Sequence, residues 1–426
     1  MGTTPQHDSD PAGWCWTLSL AFLVLTAVRL TVPSTPYFDE IHYLPAARDF
    51  LAMEGYPNRE HPTLGKYLIA AGIALFGDDS FGWRVFPWAA GGLALFAGMR
   101  AMWFASLSRF ATIAFGVLQA TGFHLFVHAR IAMLDVFMVA FFAVSLWQCA
   151  AAVREPEGGK VRLAVAGAAL GLSMASKWNV VPLAMVPGIA FLVARFQAGR
   201  QRLFASRRGL PVPGVSLIEA ALLLGLLPLT VYALTFAPMA FADGSPLPGR
   251  GLVGLHLDIL DLQASVTTPH PYQSTWLQWV GNARAIWYLY EVADGAQRGV
   301  LLIGNPFTML AGLAALGWCG WAAIQRQRTD CWAVLVLYAV ALGLWVVAAK
   351  PIQFYYHYFL PSCFLLAALA LALDALWHHG GRLRWLAIAA LAGSLAVFAH
   401  FYPILSAAEL DGVQAYAKWM WLDSWR

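Results

Sequence analysis

The chain has 426 residues, 60% of them hydrophobic and 12% charged, with a formal net charge of +4. A soluble domain is roughly 25% charged, so this composition excludes a water-soluble enzyme and gives no reason to expect a nucleic-acid partner. Apolar runs near the ~20 residues that cross a bilayer recur along the whole length, which predicts an all-α polytopic membrane protein, one membrane domain over 1–426 with no separate soluble domain.

The N-terminal stretch MGTTPQHDSDPAG lacks the basic segment of a cleavable signal, and no small-residue cleavage site follows the first apolar run. That run, 14–32, is therefore expected to stay as the first span. An outer segment, 33–83, follows with the string PSTPYFDEIHYLPAARDF, which sets Asp39 and Glu40 side by side where the chain leaves the bilayer. Within it, TLGKYLIAAGIALFG (63–77) is apolar but short and carries Lys66. Spans are then expected at 84–104, 109–128, 131–152, 161–176, 178–195 and 215–237. A second outer loop, 238–298, holds Trp276, Trp279, Trp287, Tyr272, Tyr288 and Tyr290, a density typical of a membrane interface, so it is expected to lie as a belt against the outer leaflet. The last spans are 299–324, 331–349, 355–377 and 385–405. Five cysteines (Cys15, Cys149, Cys319, Cys331, Cys363) form no CxxC and read as small buried hydrophobes.

Charge fixes the side. If 63–77 does not cross, the loops MRAMWFASLSR, REPEGGKVR, RFQAGRQRLFASRR, QRQRTD and HHGGRLR share one face, with 14 Lys/Arg against Glu155, Glu157 and Asp330. The positive-inside rule then predicts eleven spans, N-terminus in the cytoplasm and C-terminus outside. The segment 63–77 becomes a helix on the outer surface.

With that topology, Asp39, Glu40, His61, Lys66, Arg84, His128, Arg130, Asp135, Lys177, Lys350 and His357 all fall on the outer face. Singly, each has a plain reading. Asp39 and Glu40 are solvated loop charges, Arg84 and Lys177 snorkel at helix ends, His61 is a turn residue beside Pro62, and Gly304-Asn305-Pro306 is a kink. Asp135 resists this treatment, since a charge inside a span costs on the order of 3 kcal/mol and Asp is too short to snorkel far. Cations and a few carboxylates on one outer face suit a phosphorylated lipid whose headgroup reacts there. The phosphate is a good leaving group that needs cations as charge develops, and an acceptor hydroxyl needs a base, which a boundary carboxylate supplies. Adjacent carboxylates cannot flank a glycosidic bond as hydrolases require, which favours transfer over hydrolysis.

The ordered strings YFDEIHY, HPTLGKYLIAAGIALFG, WRVFPW, HARIAMLD and GLSMASKWN, followed by HPYQSTWLQW, LLIGNPFTMLAG and QFYYHYFLP, resemble the protein O-mannosyltransferase family, membrane glycosyltransferases of the GT-C class, from about residue 20 to 375. The resemblance implies inverting transfer of mannose from a polyprenyl-phosphate mannose to Ser/Thr of a secreted protein, with no required metal or other cofactor. It implies Asp39 as base and Glu40 as the residue orienting the acceptor. Arg84, Arg130, Asp135 and Lys177 would surround the donor phosphate and sugar together with His61 and Lys66, and Tyr356, His357 and Asn305 would complete the acceptor side of the pocket. The family's His-Pro-Pro is His61-Pro62-Thr63 here, and its Trp-Pro is Trp279-Val280, departures that bear on the acceptor groove. Loop 238–298 is too short for the lumenal β-trefoil of eukaryotic members, which points to a bacterial-type enzyme in the cytoplasmic membrane with its site facing outward. A dimer or an association with a translocon stays open. Two alternatives also stand: a related GT-C enzyme moving another lipid-linked sugar such as aminoarabinose, and a transporter lined by buried charges.

Overall fold

The computed structural model describes residues 8–198, 203–265, 267–348 and 350–426. Arg200 and Arg202 of the cationic face, and the first seven residues of the N-terminal stretch, lie outside the described residues. In chain order the helices are α1 Ala12–Ala27, α2 Glu40–Leu51, α3 Leu64–Phe76, α4 Ser80–Ser106, α5 Arg109–Ala120, α6 His124–His128, α7 Asp135–Arg154, α8 Gly159–Ser176 and α9 Val181–Gln197. They continue with α10 Leu217–Ala221 and α11 Leu227–Leu234, joined by a π-helical stretch Leu222–Leu226, then α12 Leu247–Ser265 and α13 Trp276–Val280. A hairpin of β1 Ile286–Ala293 and β2 Ala296–Leu302 precedes α14 Pro306–Gln325, α15 Thr329–Val347, α16 Phe359–His379 and α17 Gly381–Leu405.

Among the described residues, eight helical stretches are long and apolar enough to cross a membrane: Ser80–Ser106, Asp135–Arg154, Trp178–Gln197, Leu217–Leu234, Pro306–Gln325, Thr329–Val347, Tyr355–His379 and Gly381–Leu405. The chain is a multi-pass membrane protein. The three other expected spans coincide with α1, α5 and α8, which are shorter or less apolar, so the count of eleven crossings is taken up below as a proposal. At 13 residues, α3 reaches about 20 Å, short of the ~30 Å hydrocarbon. It folds back onto α4, where a Cβ on Gly72 would stand 2.2 Å from the Gly82 carbonyl oxygen; only glycine allows that crossing. Asp79 caps α4 by accepting from the Phe81 and Gly82 amides, starting the helix four residues before the expected 84.

Two expectations are corrected. The fold is mostly helical, as expected, but the segment expected to open a span at 299 is strand β2, and the helix starts at Pro306. Val300, Leu301, Leu302 and Ile303 are apolar since they are buried in the protein, against α6 and α17, not because lipid surrounds them. Asp294 and Gly295, with φ of 47° and 75°, make the tight turn for which Asp-Gly is favoured. The aromatic loop is also no simple lipid belt: Trp279 and Tyr288 are buried, and Tyr288 stacks on Phe38 with ring centroids 3.9 Å apart. The Asp294 carboxylate accepts from the Ser34 amide at 2.9 Å, tying the hairpin to the loop after α1. The five cysteines are free and buried or half-buried, as expected. Glu219 and Asp374, the other acids inside spans, have partners as well. Glu219 pairs with Lys160 and Arg207 at 2.6 and 2.7 Å, and Asp374 pairs with His378 at 3.1 Å.

Candidate active site

The two adjacent carboxylates have different surroundings. Glu40 and Arg84 both have zero exposure, and the guanidinium donates two 2.8 Å bonds to the carboxylate. Glu40 also accepts from the Ala132 amide at 2.9 Å and the Tyr37 amide at 3.2 Å, while Arg84 donates to the Leu30 and Pro33 carbonyls. Each Glu40 oxygen therefore has two donors and none to spare. The pair joins the end of the first helix, α2, α4 and the loop before α7 at one corner. Phe38, held at φ 50° by its stack on Tyr288, turns the chain just ahead of it; a bulky residue there is an outlier of the kind found at functional sites. Asp39 stays half-buried and accepts one long bond, 3.4 Å, from the Tyr43 hydroxyl. Burial raises its pKa above the ordinary carboxylate value, with Lys177 opposing and Asp135 reinforcing the shift.

Asp135 opens α7 and Lys177 follows α8, so two packed helices deliver them to one place. Lys177 Nζ lies 2.7 Å from Asp135 Oδ2 and 5.0 Å from the centre of the Tyr356 ring. Asp135 is 1% exposed, and its Oδ1 has no protein partner. A buried carboxylate oxygen without a donor is costly, which makes it the open polar position of the site. A cavity of about 540 Å³ lies beside this pair, lined by His61, Lys177, Trp178, Asn179, Tyr232, His256, Gln263, Lys350, Tyr356 and His357 among others. Asp39 is not on its lining, but it is close enough to Lys177 and Asp135 for both charges to act on it. Burial lowers the Lys350 pKa to about 8, with Lys177 adding to the shift. Burial, then Lys177 and Lys350, holds His61 well below its ordinary value, so it is neutral near pH 7.

The cavity continues into a groove of about 640 Å³ whose lining includes Met185, Gly188, Ile189, Leu192, Leu224, Gly225 and Pro228. The two share Met174, Val181 and Leu229. The π stretch Leu222–Leu226 lies along this groove, and such bulges recur at functional sites.

The structure thus divides the expected site residues. Asp39, Asp135, Lys177, His61, Tyr356 and His357 gather around the cavity. Glu40 and Arg84 form the corner described above, so neither the expected acceptor contact nor the expected phosphate contact is open to them. Arg130 is spent on the carbonyls of Thr26, Val28, Arg29 and Ser406, capping the end of α1. Lys66 donates to the Asn58 and His61 carbonyls at 2.6 and 3.0 Å with zero exposure, fixing the loop before α3. Asn305 caps α14 and donates to the Thr121 and Ser394 carbonyls, away from the cavity. Lys350 belongs to the cavity, although the sequence reading counted it among the outer cations without assigning it to the site. Trp178, Asn179, Tyr232, His256 and Gln263 were missed; adjacency to Lys177 was the available signal for Trp178 and Asn179 and polarity in the second outer loop for His256 and Gln263, while nothing singled out Tyr232 within its span. Among the described residues no group of three or more His, Cys, Asp or Glu converges as a metal site.

Comparison with known proteins adds a family to this geometry. Residues 60–235 match the family model described as dolichyl-phosphate-mannose-protein mannosyltransferase, and residues 249–425 match the C-terminal four-transmembrane region of protein-O-mannosyltransferase. Together the two matches take in most of the chain. It belongs to the protein O-mannosyltransferase family. Similar members include the polyprenol-phosphate-mannose–protein mannosyltransferases of Mycobacterium tuberculosis, 28% identical with 97% of this chain and 92% of the relative covered, and of Corynebacterium glutamicum, 24% identical with 97% and 93% covered. The fold is that of the Saccharomyces cerevisiae Pmt1–Pmt2 complex bound to the sugar donor, with a TM-score of 0.80, 14% identity and coverage of 97% and 92%. ArnT from Cupriavidus metallidurans bound to undecaprenyl phosphate is more distant: TM-score 0.53, 14% identity, 86% of this chain and 61% of that one.

Proposed function

We propose that this protein transfers mannose, with inversion, from polyprenyl-phosphate mannose to Ser/Thr hydroxyls of secreted proteins at the outer face of the membrane. The observation that carries the reading is the joining of a cationic cavity to an apolar groove beside a half-buried carboxylate. A lipid phosphate needs both surfaces at once. The polyprenyl chain lies in the groove, the phosphate meets Lys177 and Lys350, and a sugar hydroxyl donates to Asp135 Oδ1. The acceptor oxygen attacks C1 of the mannose from the face opposite the phosphate while its proton passes to Asp39. The C1–O bond breaks with its electron pair going to the phosphate, whose growing charge the two ammonium groups stabilise. No metal is assigned a step.

The names of the bacterial relatives support the donor and the acceptor class, and the excess of Lys/Arg on one set of loops supports eleven crossings with the site facing outward. The setting is then a bacterial cytoplasmic membrane. The yeast relative is a two-protein complex; a dimer or a translocon-bound form of this chain is proposed only as a question for mass measurement in the membrane. Aminoarabinose transfer is the weaker reading, since the chain spans only about 60% of the ArnT structure. The test is reconstitution of the protein in vesicles with labelled polyprenyl-phosphate mannose and a Ser/Thr-rich peptide. Label on peptide hydroxyls supports the reading, and label confined to lipid or glycan acceptors replaces it with the weaker one.

A further inference from the structure

One polar network at the cavity wall has no part in the mechanism above. Trp178 follows Lys177 directly, and its indole N–H, which can only donate, reaches the Tyr232 hydroxyl at 2.9 Å. Having accepted that bond, Tyr232 directs its own proton to His256 Nε2 at 2.6 Å. Nε2 accepts only if the proton of the neutral ring sits on Nδ1, and Nδ1 is 2.7 Å from the Leu252 carbonyl. One tautomer therefore satisfies every member in a single direction, from Trp178 to Tyr232 to His256 to the backbone of α12. The Trp178 and His256 rings also stack, 5.6 Å apart with planes at 19°.

The helix at the far end of this chain is independently anchored. Leu255 and Ile259 of α12 are buried against Phe50, Tyr56, Phe236 and Met239, while Val253, Leu257 and Leu260 are exposed at i, i+4 and i+7. That is the pattern of a helix lying in the plane of the membrane surface. The network thus ties a surface helix of the second outer loop, through α11, to the short turn that carries Lys177 and Asn179. It sits at the junction of cavity and groove, because Val181, which lines both, is three residues beyond Trp178, and Leu229, which also lines both, is one turn before Tyr232.

We propose that His256 is a positioning residue: through Tyr232 and Trp178 it holds Lys177 at the mouth of the lipid groove and so sets the affinity for the phosphate of the lipid donor. The inference rests on the reading of Lys177 as the phosphate contact. His256 itself touches neither the reacting carbon nor the acceptor. Its loss weakens donor binding and leaves the chemical step nearly intact.

The experiment compares His256→Gln, whose Oε1 reaches the place of Nε2 and accepts from Tyr232, with His256→Met, which has similar volume and no acceptor. Tyr232→Phe and the Tyr232→Phe/His256→Met double variant complete the set. Transfer kinetics are measured in vesicles with varied polyprenyl-phosphate mannose, alongside binding of sugar-free polyprenyl phosphate. Loss of the network is expected to raise the donor KM and the polyprenyl-phosphate Kd by about fivefold to tenfold, the scale of one or two lost hydrogen bonds, with kcat changed less than twofold. His256→Gln restores wild-type values, and the double variant is no worse than either single one. A His256→Met enzyme with unchanged donor KM and Kd overturns the proposal, as does a fall in kcat alone. Equal loss in His256→Met and His256→Gln overturns it too. If wild-type protein neither transfers mannose nor binds polyprenyl phosphate, the functional reading has failed instead, so the two failures are distinguishable.

Discussion

Glu40→Gln isolates the structural carboxylate from its neighbour. The substitution keeps shape and removes charge, which leaves the Arg84 guanidinium with zero exposure and no counter-charge. It also turns one oxygen, which accepts from Arg84 Nη2 and the Tyr37 amide, into an NH2 facing donors. Breaking a buried ion pair from one side costs about 3–5 kcal/mol, and an orphaned buried amide adds ~1–3 kcal/mol. Against a total stability on the order of 5–15 kcal/mol, about a quarter or more is lost. Denaturant unfolding in detergent micelles measures this, and a cycle with Arg84→Met isolates the pairwise part, expected at about 2–3 kcal/mol. The double variant recovers only that part, because Arg84 also holds the Leu30 and Pro33 carbonyls. A Glu40→Gln protein as stable as wild type but inactive would refute the argument and return Glu40 to the substrate.

The pH dependence of transfer follows from two groups. Asp39 must be ionised, and its raised pKa puts the acid limb above the ordinary carboxylate range, activity falling as pH drops through it. Lys350 must be charged, and with its pKa lowered to about 8 activity falls again as pH rises through that value. Lys350→Arg should move the alkaline limb upward; a profile flat from pH 5 to 10 contradicts both assignments. Gly188 in α9 has open space where a Cβ would stand, so Gly188→Leu fills the groove without strain. It should raise the KM for long-chain donors several-fold more than for short-chain ones, and an equal effect on both would argue against the groove as the chain's seat. Chelation by EDTA is expected to leave the transfer rate unchanged, and a loss restored by a divalent cation would show a metal requirement.

Much of the architecture follows from periodicity and charge, since each long apolar run is helical over most of its length and Asp135 and Lys177 meet as a buried pair. The errors have a physical pattern. An apolar run is buried for two reasons, by lipid or by protein, and composition alone does not separate them; β2 was read as lipid-buried because Val300–Ile303 adjoins α14, although Asp294-Gly295 signalled a turn. The division between Asp39 and Glu40 was illegible for another reason. Adjacent residues point in different directions, and only the arrival of Arg84 from α4 and the Ala132 amide decides which carboxylate is consumed. Arg130, Lys66 and Asn305 were expected at the substrate from the family resemblance, whereas chain ends and helix starts inside a membrane protein need polar groups for their own backbone. Tyr232 and His256 could not be found from spacing, because their partners lie on other elements.

The most direct test of the account is single-turnover transfer by Asp39→Asn with bound, labelled polyprenyl-phosphate mannose and a Ser/Thr-rich peptide. The account predicts donor binding within about twofold of wild type and a transfer rate lowered by about 10²–10⁴, the contribution of a positioned base. Transfer at the wild-type rate would contradict it.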